Sequence, residues 1–204
     1  MNAAALPGIS TRKTGRSSRR EFDRYLTPAS AVHSLLATFP EIGGKSCLEA
    51  CSGNGVLPSI LSLRFSEVIT NDLDRKIGAT YALDARKACL YDAIRTDGRS
   101  PEWMITNPPY SVWSDIAHQA LSQTLDLALL LRVTALEATK KRVWLMGRAP
   151  SALLVMPRIR FKGPVGSDNC CYVWAVWSAR VPRGIFYPPT DPRQTSLFFP
   201  SGVH

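Results

Sequence analysis

Between residues 45 and 133, short apolar runs alternate with amphipathic stretches, and the first four runs each stop within three residues of an Asp, Asn or Gly. That rhythm constrains the fold more than any other feature. A strand buried on both faces reads as a continuous apolar run. Strands separated by helical stretches cannot pair as hairpins, so they form a parallel sheet covered by helices. The runs lie at residues 45–50, 68–70, 88–91, 103–106 and 125–133, and each is taken as a strand. Helices are expected at 57–63, 75–85 and 112–123. Before the first run, Thr27-Pro28 opens another helix. Thr27 suits the cap and Pro28 the first helical position, and Val32, Leu35, Leu36 and Phe39 form the buried stripe.

The last third changes character. Residues 153–156 and 172–177 read as two strands joined by a Gly-containing loop, a closing antiparallel hairpin. The expected fold is therefore α/β. It has a seven-stranded, mostly parallel sheet with a C-terminal antiparallel hairpin and helices on both faces. The 204 residues suit one such domain, expected at 23–180, between a basic arm at 1–22 and a Pro- and aromatic-rich tail at 181–204.

Charge is unevenly spread. The net charge is +9, and residues 1–20 hold Arg12, Lys13, Arg16, Arg19 and Arg20 with no acid. A Ser-, Thr- and Gly-rich arm of this kind cannot build a core, and its cations suit phosphates. The expected partner is a nucleic acid. Cys47, Cys51, Cys89, Cys170 and Cys171 are an odd set with no zinc spacing, which argues for a reducing, cytoplasmic setting and no metal. No apolar stretch reaches membrane-spanning length, and residues 1–10 lack the charged start of a secretory signal.

Ligands of open α/β sheets bind at the carboxyl ends of the strands, and the candidate residues fall there. Glu49-Ala50-Cys51-Ser52-Gly53-Asn54-Gly55 follows the first run. Gly53 and Gly55 allow a tight turn and close backbone approach. The spacing lacks a third glycine and a phosphate-binding lysine, so it is neither a full dinucleotide fingerprint nor a P-loop. Glu49 would repel a pyrophosphate and attract an ammonium, which favours S-adenosylmethionine. Asp72 ends the second run and suits a ribose diol, while Asp74 suits a helix cap. Asp92, after 88–91, suits an adenine amine, and Asp97 with Gly98 suits a turn. The fourth run ends in Asn107-Pro108-Pro109-Tyr110, an amide and backbone carbonyls beside an aromatic ring. Such a set can hold a flat molecule by its amino group.

The order Thr27-Pro28, Glu49 to Gly55, Asp72, Asp92 and Asn107-Pro108-Pro109-Tyr110 resembles the adenine-N6 DNA methyltransferases, particularly the small phage and prophage type. The similarity covers about residues 24–178 and includes Tyr172 to Trp177 as the closing hairpin. It implies a Rossmann-like class I methyltransferase fold using S-adenosyl-L-methionine. Thr27, Pro28, Glu49, Cys51, Gly53, Gly55, Asp72, Asp92 and Asn107 would surround the cofactor. Asn107 and the Pro108 carbonyl, within the loop completed by Pro109 and Tyr110, would hold the target amine. Tyr110 would stack on an extruded base, with Phe161, Trp174 or Trp177 against its other side. Alternation along the hairpin puts Trp174 and Trp177 on opposite faces, and for each of these aromatics a core role suits better than a stacking one.

An adenine amine is a poor nucleophile because its lone pair is delocalised into the ring. Two acceptors holding both amine hydrogens favour a tetrahedral nitrogen, so catalysis is chiefly positioning. The base must be extruded or single-stranded to reach the pocket. RNA adenine and a protein glutamine amide suit the same motif, as does a non-catalytic nucleic-acid-binding module built on the same fold. About sixty residues separate the motif loop from the hairpin, too few for a large recognition domain. Sequence readout would rest on short loops such as 162–169, on the arm or on the tail, giving relaxed or very short specificity.

Overall fold

The computed structural model describes residues 27–137, 139–157, 159 and 170–189. Seven strands form one sheet: β1 (Gly44–Glu49), β2 (Phe65–Thr70), β3 (Trp103–Thr106), β4 (Asp126–Arg132), β5 (Ala152–Val155), β6 (Tyr172–Trp177) and β7 (Gly184–Phe186). Their order across the sheet is β2-β1-β3-β4-β6-β5-β7. β1, β2, β3 and β4 pair in parallel, β6 runs antiparallel between β4 and β5, and β7 runs parallel to β5.

Alternate residues of the central strands face opposite sides. Trp103, Ile105, Ala128, Leu130, Tyr172 and Trp174 join one core with the buried face of α1 (Ala29–Thr38) and α2 (Val56–Leu61). Met104, Leu127, Leu129, Leu131, Val173 and Trp177 join the other with α3 (Ala88–Thr96) and α4 (Trp113–Ser122). Burying both sheet faces requires apolar residues at the inner positions of β4, Leu127 to Leu131, which explains their unbroken apolar run. α5 (Thr134–Glu137) and α6 (Thr139–Gly147) connect β4 to β5.

The sheet has the expected number of strands with a different membership. Residues 88–91 are the first turn of α3, not a strand. Leu90, Tyr91 and Ile94 are buried on one side of that helix. A four-residue apolar run fits either periodicity, and its length alone does not decide. The expected helix at 75–85 shrinks to one 3-10 turn, Arg75–Ile77, capped by Asp74, whose carboxylate accepts from the Lys76 amide at 3.0 Å. The chain then runs beside β2 as a single parallel bridge, Asn71 to Tyr81. The Tyr81 amide donates to the Thr70 carbonyl at 3.0 Å and the Asp72 amide to the Tyr81 carbonyl at 3.1 Å.

The seventh strand comes from the segment expected to be tail. β7 joins the edge beside β5, and Phe186 packs edge-to-face on Phe39 of the α1–β1 connection at 5.1 Å. Thr27 does not cap α1. Pro28 occupies the cap position with extended backbone, and its carbonyl accepts from the Ala31 amide at 3.0 Å.

Candidate active site at the carboxyl edge of the sheet

Glu49, the last residue of β1, is fully buried. Its Oε1 accepts from the Cys51 amide at 2.9 Å and from the Thr106 hydroxyl at 2.5 Å. Its Oε2 is buried and has no hydrogen-bond partner among the described residues. Burial pushes the carboxyl up to about 8, against the pull of the Thr106 and Cys51 hydrogen bonds and with help from the Asp72 charge. A buried acceptor left open in this way is costly, so it marks a place where a donor belongs. The Cys51 thiol is pushed up by burial and by Glu49, which makes it inert packing rather than a nucleophile.

The loop after Glu49 turns on two left-handed glycines, Gly53 at φ 50° and Gly55 at φ 77°. No atom would meet a Cβ within 4 Å at Gly55, so the turn, not crowding, requires glycine there. The Gly53 amide donates to Asp72 Oδ2 at 2.9 Å, and the Asp74 amide to Asp72 Oδ1 at 2.9 Å. Asp72 thus ties the glycine loop to the end of β2. A cavity of about 260 Å³ opens beside this loop, lined by Gly53, Gly55, Pro58, Thr70 and Gly78 among others.

Asn71 organises this corner. Its Nδ2 donates to the carbonyls of Ala50 and Leu83 at 2.9 and 3.0 Å, and its Oδ1 accepts from the Leu83 amide at 3.0 Å. One side chain therefore fastens together the ends of β1 and β2 and the bridge segment. The residue just past that segment is Asp84, gripped by Arg86 through contacts of 2.6 and 2.8 Å, which hold its carboxyl below the ordinary range. Asp84, not Asp92, is the acid beyond the third edge position. Asp92 projects from the middle of α3, exposed and paired with Arg95. The strand on which its assignment rested is absent. Leu73, directly after Asp72, is exposed and offers an apolar face at the same edge.

β3 delivers Asn107 next to Glu49, because Thr106 bonds directly to that carboxyl. Asn107 Nδ2 donates to Thr27 Oγ1 at 3.0 Å, and the Tyr110 hydroxyl donates to Asn107 Oδ1 at 3.4 Å. Pro108 is buried and Pro109 exposed. Lys141 braces the loop from α6, donating to the Tyr110 and Ser111 carbonyls at 3.1 and 3.3 Å. Burial lowers the Lys141 pKa. A second cavity, of about 320 Å³, lies beside this brace between Arg86, Asp115, His118, Lys141 and Trp144.

Among the described residues of the hairpin, Tyr172 reaches Tyr110, with ring centroids 6.2 Å apart. Trp177 lies elsewhere. It pairs with Leu127 near the amino end of β4, packs on Trp113 and Trp144, and donates its indole N–H to the Arg148 carbonyl at 2.7 Å. Trp174 is buried in the other core and donates to the Ala31 carbonyl at 2.9 Å. Phe161 and the arm residues Arg12, Lys13, Arg16, Arg19 and Arg20 lie outside the described residues. Asp84, Leu73, Tyr172 and Arg132 were not singled out from the sequence. Asp84 alone had a local signal, since Tyr81, Leu83 and Asp84 repeat the pattern of apolar residues ending in an acid.

A central parallel block, a glycine turn after its first strand, an acid after its second and an antiparallel strand inserted near one edge together define the Rossmann-like class I methyltransferase fold. Solved structures with this fold align over most of the chain. The methyltransferase subunit of a type I restriction-modification system from Streptococcus thermophilus aligns with TM-score 0.54 and 14% identity, covering 80% of this chain and 47% of that one. A predicted O-methyltransferase from Agrobacterium tumefaciens gives 0.50 and 15%, covering 84% and 95%. The 23S rRNA methyltransferase ErmE gives 0.50 and 15%, covering 86% and 75%. At these identities the likeness establishes the fold alone. No protein-family model and no curated protein sequence matches the chain.

Proposed function

We propose that this protein transfers a methyl group from S-adenosyl-L-methionine to the N6 amine of adenine in DNA, with the base held out of the stack. One observation carries the reading. Asn107 is held at the end of β3 by Thr27 and Tyr110, one hydrogen-bonded residue away from a buried carboxylate with an open oxygen. The cofactor site and the amine-holding loop are thereby joined through Thr106.

The residues present fit the cofactor. Glu49 Oε2 is an unused acceptor for its ammonium. The Asp72 carboxylate has capacity for a ribose diol beside its two backbone donors, and Leu73 can cover an adenine ring. The bound cofactor supplies an activated methyl on sulfur. The protein's share is orientation. With its amide nitrogen turned to Thr27, Asn107 presents Oδ1 as an acceptor for one amine hydrogen. The Pro108 carbonyl takes the other, and Tyr110 supports the base by stacking. This preorganisation needs no titrating base.

The choice of DNA follows from the likeness of the ordered motifs to adenine-N6 DNA methyltransferases and from the basic arm. Two of the structures sharing the fold carry names that refer to nucleic-acid modification. Specificity is relaxed or very short in this proposal. Among the described residues between Tyr110 and β6, α4, β4, α5, α6 and β5 are all parts of the sheet and its cover.

The test is transfer of labelled methyl from S-adenosylmethionine to duplex DNA, single-stranded DNA, RNA and protein, followed by digestion to nucleosides and amino acids. N6-methyladenine released from DNA is expected. Label found only in RNA or on glutamine, or no transfer and no cofactor binding, overturns the proposal. Methylation confined to a strict site of five or more bases would overturn the specificity part alone.

A further inference from the structure

The ring that is to receive the target base already carries a cation. The guanidinium carbon of Arg132 lies 4.9 Å from the centroid of the Tyr110 ring. Arg132 ends β4, and its register partner across the antiparallel pair is Tyr172. Its Nε donates to the Tyr172 hydroxyl at 3.3 Å, while the Tyr172 ring stands beside Tyr110. Tyr110 in turn donates to Asn107. Arg132 is therefore one link from the amide that holds the target amine, and it rises from a rigid strand end rather than a loop.

A guanidinium plane and a base plane cannot share one ring face. If the base stacks on the face of Tyr110 that Arg132 covers, Arg132 must withdraw, and it withdraws to the rim of the pocket because its backbone is fixed in β4. The sugar and phosphates of an extruded nucleotide cross that rim. A planar guanidinium fork matches phosphate oxygens in geometry and charge. Resting on an aromatic ring, it is held in place and partly desolvated before the ligand arrives.

Resting on the proposed methylation of nucleic acid, we infer that Arg132 covers the Tyr110 ring in the free protein, yields it to the target base and grips a phosphodiester flanking that nucleotide. The residue is a substrate-binding group that distinguishes a nucleotide in a strand from an isolated base or an amide side chain. It has no role toward the cofactor.

The experiment uses the full chain and an oligothymidylate bearing one adenine. In a second oligonucleotide, uncharged methylphosphonates replace the phosphates on either side of that adenine. For the unaltered protein the neutral linkages should raise KM roughly tenfold or more, the loss of a charge-assisted contact. Arg132→Ala should raise KM for the normal oligonucleotide by a similar factor and then be insensitive to the neutral linkages. Its log–log salt slope should fall by about one, with kcat and affinity for S-adenosylhomocysteine within about twofold of the parent. Arg132→Lys keeps the charge and should retain part of the sensitivity to methylphosphonate. Equal methylphosphonate sensitivity in the parent and Arg132→Ala overturns the inference, as does an unchanged KM. If the unaltered protein methylates no oligonucleotide, DNA or RNA, the proposed function falls and this inference with it.

Discussion

Asn107 and Thr27, 80 positions apart in the chain, meet in a 3.0 Å hydrogen bond from the Asn107 amide to the Thr27 hydroxyl. The bond joins the end of β3 to the residue before the Pro28 cap of α1. Thr27 is itself buried, and α1 is seated by the Trp174 indole, which donates to the Ala31 carbonyl. The side chain proposed to hold the target amine is thus aimed by an element from the opposite end of the domain. Thr27 was expected to cap a helix. It was also placed at the cofactor by resemblance, and its hydroxyl accepts from Asn107 rather than capping.

Thr27→Val keeps the shape and removes the acceptor. One intramolecular hydrogen bond is worth about 1 kcal/mol, so kcat should fall by roughly fivefold to tenfold through misorientation of Asn107. Cofactor affinity should not change. Asn107→Ala should lose activity by on the order of a hundredfold or more, as when a preorganised polar contact to the reacting group is removed. Steady-state kinetics with a separate cofactor titration checks both. Equal kinetics for Thr27→Val and the parent would show that the bond does not orient the amide.

Glu49 makes the cofactor-free protein sensitive to pH. Its carboxyl, at about 8, lies above the ordinary value of 4.5, because burial penalises the charged form. The folded state therefore binds this proton more tightly than the unfolded state. The resulting stability is complete below about 4.5 and is lost as pH rises through about 8, at no more than about 1.4 kcal/mol per pH unit. Binding of an ammonium favours the charged carboxylate, so cofactor affinity should rise with pH toward 8. Glu49→Gln should flatten both profiles and weaken the cofactor by tenfold or more. Thermal melts and calorimetric titrations between pH 6 and about 9 read both effects.

The two acids at the edges of the cofactor region should behave differently. Asp72→Ala removes the acceptor of the Gly53 and Asp74 amides, so it should weaken the cofactor and loosen the glycine loop together. Asp92→Ala removes an exposed pair with Arg95, and such pairs contribute about 0–1 kcal/mol. Cofactor affinity in that variant should stay within twofold of the parent by the same argument. A large loss on replacing Asp92 would restore it to the site.

Deleting residues 1–20 removes five cations and no anion. The expected result is weaker nucleic-acid binding and a log–log salt slope smaller by up to roughly 4, with cofactor affinity intact. An unchanged slope would make the arm a bystander.

The fold and most of the candidate site were legible because the relevant signals are local. The run 103–106 passes into Asn107-Pro108-Pro109-Tyr110 without a break, and Glu49 sits directly before its glycines. Asp92 misled because 88–91 satisfies helix and strand equally. The choice was made by Asn71, which captures Leu83 from another part of the chain. β7 was illegible for a similar reason. Gly184, Ile185 and Phe186 stand between prolines at 182 and 188, and only the vacant edge of β5 makes them a strand. The pairing of Arg132 with Tyr172 spans 40 positions and depends on strand register, which no local pattern carries.

The seating of α1 by Trp174 also bears on when the candidate site takes shape during synthesis. A growing chain carries Thr27, the glycine loop, Asp72 and Asn107 long before it carries β6. Until β6 enters the sheet, α1 lacks its indole anchor and Thr27 has no fixed place from which to aim Asn107. A polypeptide cut short of Trp174 would keep the recognisable motifs and lack the geometry that makes them work. Completion of the penultimate strand is thus the step that sets the geometry on which the proposed methyl transfer depends.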